Sequence, residues 1–165
     1  HARLDGIFSA RAGLVIGPSG SGKTTLLRSW CSSTTRAEVA WMTIEPAHRD
    51  ASVLIGDLAE AVRCVVGDHV AVGPAPSAEA VDLIADAIDR AGLRVVLVLD
   101  DAQVLAGAEA VEVVRRLRAA SRTDSALNAV VILDLYTLLL PDALEDSLHE
   151  IAPYFSAFVA HKRLN

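Results

Sequence analysis

A chain of 165 residues that is 52% hydrophobic and 22% charged holds enough apolar material for one real core, which argues against disorder. A formal net charge of −6 without any basic stripe argues against a domain that grips nucleic acid by itself, and seven scattered aromatics give no base-stacking platform. No apolar run approaches a membrane span and no signal peptide opens the chain; two cysteines that read as buried hydrophobes fit a reducing cytoplasm.

The chain opens on His1 and its single methionine is Met42, which reads as a piece of a longer protein. Residues 1–12 read as an approach segment, with Leu4, Ile7 and Phe8 able to pack on the core. Leu14-Val15-Ile16 marks a strand over about 13–17. It runs into Gly17-Pro18-Ser19-Gly20-Ser21-Gly22-Lys23-Thr24-Thr25, which fits G-x-x-x-x-G-K-[ST] at every fixed position. A helix is predicted over about 22–33, with Leu26, Leu27 and Trp30 on one face.

Strand, glycine loop and helix form the context of a phosphate-binding loop. The glycines let successive N–H groups turn inward around an anion, and the new helix adds unpaired N–H groups and the positive end of its dipole. Lys23 would reach the β/γ-phosphates and the Thr24 hydroxyl would hold Mg2+, with Thr25 belonging to the helix. The chain carries thirteen Arg and two Lys, yet this position is Lys, a compact point charge. The bland alternative is a Gly/Ser turn that merely joins strand to helix.

Val39–Ile44 reads as a second strand, stopped by Glu45-Pro46. A helix over 51–66 places Val53, Leu54, Leu58, Ala61, Val62 and Val65 on one stripe. A connector over 67–77 contains Gly73-Pro74-Ala75-Pro76. Ser77 is the expected N-cap of a helix that runs to Ala91, with Ala80, Val81, Ile84, Ala87 and Ile88 inward and Gly92 as its stop. Val95 to Leu99 is five uninterrupted apolar residues, a strand buried on both faces, and so points to a parallel sheet. Helix 108–120 turns Val111, Val114 and Leu117 inward and pairs Glu112 with Arg116 outside. Asn128–Leu133 makes a fourth strand, 142–151 a short helix with Asp142 and Glu145 at capping-box spacing, and Ser156–His161 a fifth strand. Cys31 and Cys64 read as small buried hydrophobes, and His48, His69 and His149 as surface residues without metal-ligand spacing.

Asp100 and Asp101 follow the apolar strand directly. Two carboxylates there are costly unless they face a cation or a site. With the phosphate loop present, Asp100 is the expected Mg2+ partner through Thr24 and coordinated water, and Asp101 the group that polarises the attacking water. The assignment of roles within the pair stays open, and a pair that only caps the next helix is the bland alternative.

The segments V-A-W-M-T-I-E at 39–45 and V-L-V-L-D-D-A-Q-V-L at 96–105, together with the loop at 17–24, resemble the ATPase domain of the STAND class. Within it they are similar to large LuxR-type transcriptional activators of the maltose-regulon activator group, over roughly residues 3–134. The resemblance implies a P-loop NTPase fold of the ASCE/AAA-like kind: a parallel five-stranded sheet covered by helices on both faces, three layers, in one domain over 1–165. It implies ATP/ADP and Mg2+ as cofactors, a conformational switch, self-association on activation, and downstream effector-binding and DNA-binding domains of the same protein. It implies Gly17, Gly22, Lys23 and Thr24 for nucleotide, and Asp100 and Asp101 for Mg2+ and water. Glu45 sits at the family's usual acidic position, where a solvated strand-end acid is an equal reading, and Gln103 stands where a histidine is common. After the fourth strand the family shows a Ser/Thr-Arg pair; here the residues are Leu135-Tyr136-Thr137, with Asp134 or Thr137 as substitute sensors and no arginine finger from 135 to 155. Slow hydrolysis is therefore expected. The competing readings are a small-molecule or nucleotide kinase of the P-loop class and a nucleotide-binding scaffold without turnover.

Overall fold

The alternation of β-branched and helical segments produces one parallel sheet. In the computed structural model, residues 4, 8, 12–17, 19–68, 70, 77, 79–105, 108–120, 126–134 and 157–160 are described. The strands are β1 (Ala12–Gly17), β2 (Glu38–Thr43), β3 (Val95–Asp100), β4 (Leu127–Asp134) and β5 (Ala157–Ala160). The helices are α1 (Lys23–Ser33), α2 (Ala51–Val66), α3 (Ala80–Ala91) and α4 (Ala108–Ala120). The strand order is β2-β3-β4-β1-β5, and every pairing is parallel. β1 and β3 are therefore not neighbours: β4 lies between them.

Pleating sorts β3 into two layers, because alternate side chains leave opposite faces of a strand. Val95, Leu97 and Leu99 join a large core with α2, α3 and α4. Val96 and Val98 join a smaller core with Leu4, Val15, Leu27 and Trp30, under α1. Phe8 lies with its ring centroid 5.8 Å from that of Trp30. All six β3 residues are buried, as a strand covered on both faces requires. The next residue on the α1 face by the same parity is Asp100.

The helix ends have local causes. The Asp50 carboxylate accepts from Ser52 N at 2.8 Å and Val53 N at 3.4 Å, capping α2. Gly92 closes α3 in the left-handed region at φ 67°. Glu112 and Arg116 pair at 3.0 Å along α4, and Arg116 also reaches Asp82 of α3 at 3.1 Å.

Several expectations are corrected. Ser77 does not cap α3 with its side chain: the helix starts at Ala80, whose N–H donates to the Ser77 carbonyl at 2.8 Å. On α2 the buried arc is Leu54, Ile55, Leu58, Ala59, Val62 and Val66, while Val53 is 39% exposed and Ala61 and Val65 are only partly buried. The helix is apolar around much of its circumference, so contact with the sheet, not periodicity, selected the face. Cys64 is exposed and Cys31 only half-buried. His48 is buried. The connector 71–76, the segment 135–156 with its expected helix, Ile7, His69 and His149 lie outside the described residues.

Candidate nucleotide-binding site

The loop after β1 folds around glycines. Gly20 and Gly22 sit at φ 73° and 81°, and a Cβ added to either would meet nothing within 4 Å, so what these glycines supply is the left-handed conformation and not room. Gly22 occupies the N-cap of α1 but has no side chain to cap with, and no acidic residue stands in the first turn. The first N–H groups of α1 are thus left for an acceptor from outside the chain. Lys23 is buried, and its Nζ donates to the Gly17 carbonyl at 2.9 Å. The Ser21 hydroxyl is buried with no hydrogen-bond partner among the described residues. An oxyanion suits all of these groups. Ser19 and Thr25 are exposed, and Pro18 lies outside the described residues.

The second half comes from β3. The Thr24 hydroxyl, in the first turn of α1, faces both carboxylate oxygens of Asp100, at 3.1 Å from Oδ1 and 3.2 Å from Oδ2. Asp100 is 4% exposed. Burial pushes its carboxyl above the usual range, as does the neighbouring Asp101 charge; the Thr24 hydroxyl, the Asp101 N–H and the Arg28 guanidinium oppose this without cancelling it. Asp101 turns the chain out of the sheet at φ 58°, the one non-glycine positive φ among the described residues. Its N–H donates to Asp100 Oδ1 at 3.1 Å, and its own Oδ1 accepts from Gln103 Nε2 at 3.1 Å.

Thus Lys23, Thr24 and Asp100, chosen from two separate motifs, come together across the width of β4. Family comparison decides what such an assembly is: the AAA domain family matches residues 5–134. The chain belongs to the AAA domain family.

Solved structures agree on the fold of this AAA domain. The chain is similar to Cdc6p from Pyrobaculum aerophilum at TM-score 0.62 and 17% identity, covering 96% of this chain and 43% of that one. It is similar to the Walker-type ATPase paby2304 of Pyrococcus abyssi at TM-score 0.62 and 15% identity, covering 96% and 51%. It is similar to the Aeropyrum pernix Orc1 protein, solved in complex with DNA, at TM-score 0.58 and 17% identity, covering 99% and 45%. The chain therefore spans about half or less of the length of these structures. No curated protein matches it.

An AAA-type P-loop ATPase domain implies nucleotide binding, typically with Mg2+. The donor set fits such an ion. Among the described residues no group of three or more His, Cys, Asp or Glu could hold a metal. One carboxylate and one hydroxyl suit a hard cation that keeps several waters and takes its remaining ligands from phosphate.

Three features of the surroundings were not read from the sequence. Arg28 lies one turn beyond Thr24 on α1, with its guanidinium 5.2 Å from the Trp41 ring centroid. His48 accepts the Glu45 N–H at Nδ1 over 2.7 Å and donates from Nε2 to Asp57 at 2.8 Å, tying the turn after β2 to α2. Gln103 touches Asp101. The only signal for Arg28 is its i+4 spacing from Thr24; for His48 it is the turn-forming Glu45-Pro46 just before it. Glu45 itself is exposed. Asp134 ends β4, and its side chain and residues 135–137 lie outside the described residues.

Proposed function

We propose that this AAA domain is the ATP/ADP-binding regulatory ATPase module of a cytoplasmic, signal-transducing transcriptional regulator of STAND type, Mg2+-dependent and slow in hydrolysis. The reading is carried by one observation: the Thr24 hydroxyl is shared between the two oxygens of Asp100 beside buried Lys23. In this scheme the loop N–H groups over 17–25 and the Ser21 hydroxyl bind phosphate oxygens. Lys23 exchanges its Gly17 carbonyl for the β/γ-phosphates and balances the charge that grows between them during bond cleavage. Thr24 and Asp100 would hold Mg2+, which would supply further neutralisation of the phosphate oxygens when bound. Asp101, exposed at its corner, accepts a proton from the attacking water.

Slow turnover is supported by residues 135–155, which carry no Arg or Lys, and by four of the described arginines being engaged elsewhere: Arg36 and Arg94 lie over Phe8, and Arg63 and Arg115 pair with Glu60 and Glu112 on their own helices. The regulatory half of the proposal rests on the resemblance carried by 39–45 and 96–105, which are adjacent strands with Val39 opposite Val96. It includes effector-binding and DNA-binding domains elsewhere in the same protein and self-association on activation.

Calorimetric titration with ATP and ADP in the presence of Mg2+ tests the binding claim. Lys23→Ala is expected to weaken nucleotide affinity by at least about 100-fold, or about 2.7 kcal/mol; unchanged affinity would overturn the scheme. Product analysis separates the activities: free phosphate supports an ATPase, while efficient transfer to a nucleoside or nucleoside monophosphate would replace it with a kinase. Extending the reading frame tests the regulatory claim, which requires a DNA-binding domain in the same polypeptide.

A further inference from the structure

Asp101 combines a rigid main chain with an exposed side chain. The corner is pinned from three directions. Its N–H is bonded to Asp100 Oδ1, its carbonyl accepts from Val104 N at 3.1 Å, and the Val104 carbonyl accepts from Arg49 Nε at 3.3 Å, from the turn Pro46–Arg49 after β2. Beneath it, Ala102 and Leu105 are buried in the large core. These contacts tie the backbone to the sheet at this corner, so the carboxylate is re-aimed chiefly through its side-chain torsions. Gln103, on the short helical turn Ala102–Val104, supplies the hydrogen bond that Asp101 receives from another side chain: Nε2 to Oδ1 at 3.1 Å. Asp101 Oδ2 has no partner among the described residues.

We propose that Gln103 is a positioning residue for Asp101. Its amide holds Oδ1 and leaves Oδ2 as the atom that accepts a proton from water. An amide does this as a neutral donor, so it orients the acid without placing a second charge beside it. A carboxylate at the same position would offer an acceptor to an acceptor and drive Asp101 out of this rotamer.

The inference rests on the reading of Asp101 as the water-polarising acid, and four variants separate the two: Gln103→Ala, Gln103→Glu, Asp101→Asn and the double variant Asp101→Asn/Gln103→Ala. Steady-state Mg2+-ATP hydrolysis and ADP affinity are measured for each. Gln103→Ala is expected to lower kcat roughly 3- to 10-fold, the span of one hydrogen bond, with KM and ADP affinity within about twofold. Gln103→Glu, which conserves size and packing, is expected to lower kcat further. In the Asp101→Asn background the Gln103→Ala effect should vanish, because the group it acts through is gone. An unchanged kcat in Gln103→Ala, or the same fractional loss with and without Asp101, would overturn the proposal while leaving Asp101's role intact. Wild-type turnover in Asp101→Asn, or no turnover in the unmodified protein, would remove the reading of Asp101 and the inference with it.

Discussion

Asp100 is the residue on which the nucleotide-free fold and the proposed Mg2+ site make opposite demands. Its carboxyl is raised above the ordinary value of 3.8, mainly by burial. The folded chain thus binds more protons than the unfolded chain between that value and the raised one, so the stability Asp100 contributes is fully present below 3.8 and is lost as pH rises through its folded pKa. Asp100→Asn is therefore expected to raise the melting temperature of the nucleotide-free protein at pH 7, with the gain shrinking as pH falls toward 4; melting curves across that range check it. The same variant should remove the Mg2+ dependence of nucleotide affinity, as should Thr24→Ala. Gly22→Ala tests the loop differently. Nothing blocks the added methyl, so the expected loss of about 1–2 kcal/mol is conformational, from φ 81°, and is read by urea unfolding. Lys23, Thr24 and Asp100 were legible because each motif is local in sequence. Arg28 on Trp41 and Gln103 on Asp101 were not, since no spacing rule says which neighbour a long polar side chain will reach once the strands are placed.

Among the elements, β3 has the least freedom to change. Leu97 is fully buried in the large core, so Leu97→Ala is expected to cost about 2–5 kcal/mol by chemical denaturation, with a cavity that its neighbours only partly fill. A loss of that size lowers the melting temperature by roughly 2–4 °C for each kcal/mol in a domain of this length. Gly92→Ala, at the end of α3, should cost about 1–2 kcal/mol through its φ of 67° alone. Helix extents were readable: the expected bounds 51–66 and 108–120 coincide with α2 and α4. The phase of α2 was not. Val53 and Ile55 are equally apolar, and only the surface offered by β2 and α3 buries Ile55 and leaves Val53 at 39% exposure. His48 escaped for a related reason. A lone histidine in a polar segment reads as solvated, and nothing local says that its two ring nitrogens will find the Glu45 N–H and Asp57 of the next helix.

Across the molecule, composition set the limits and topology made the site. The net charge of −6 leads to a further expectation: in a fluorescence-anisotropy titration at physiological salt, the chain alone should bind duplex DNA no more tightly than about 10⁻⁴ M, the weak end of non-specific binding. Tight binding would mean that a basic surface forms in the fold despite the overall charge. The parallel sheet was foreseeable from the unbroken apolar run in β3, but the strand order was not, because nothing local to β4 says that it inserts between β1 and β3. That insertion has a further consequence. With strands spaced about 4.8 Å apart, the main chains bearing the loop and the acids stand roughly 10 Å from each other. Hydrogen-bonded peptide units fix that span, not any choice of side chain. Substitutions along β4 can then drift in size and stability while the gap bridged by Thr24 keeps its width, so the spacing of Thr24 and Asp100 is insulated from variation in the strand that defines it.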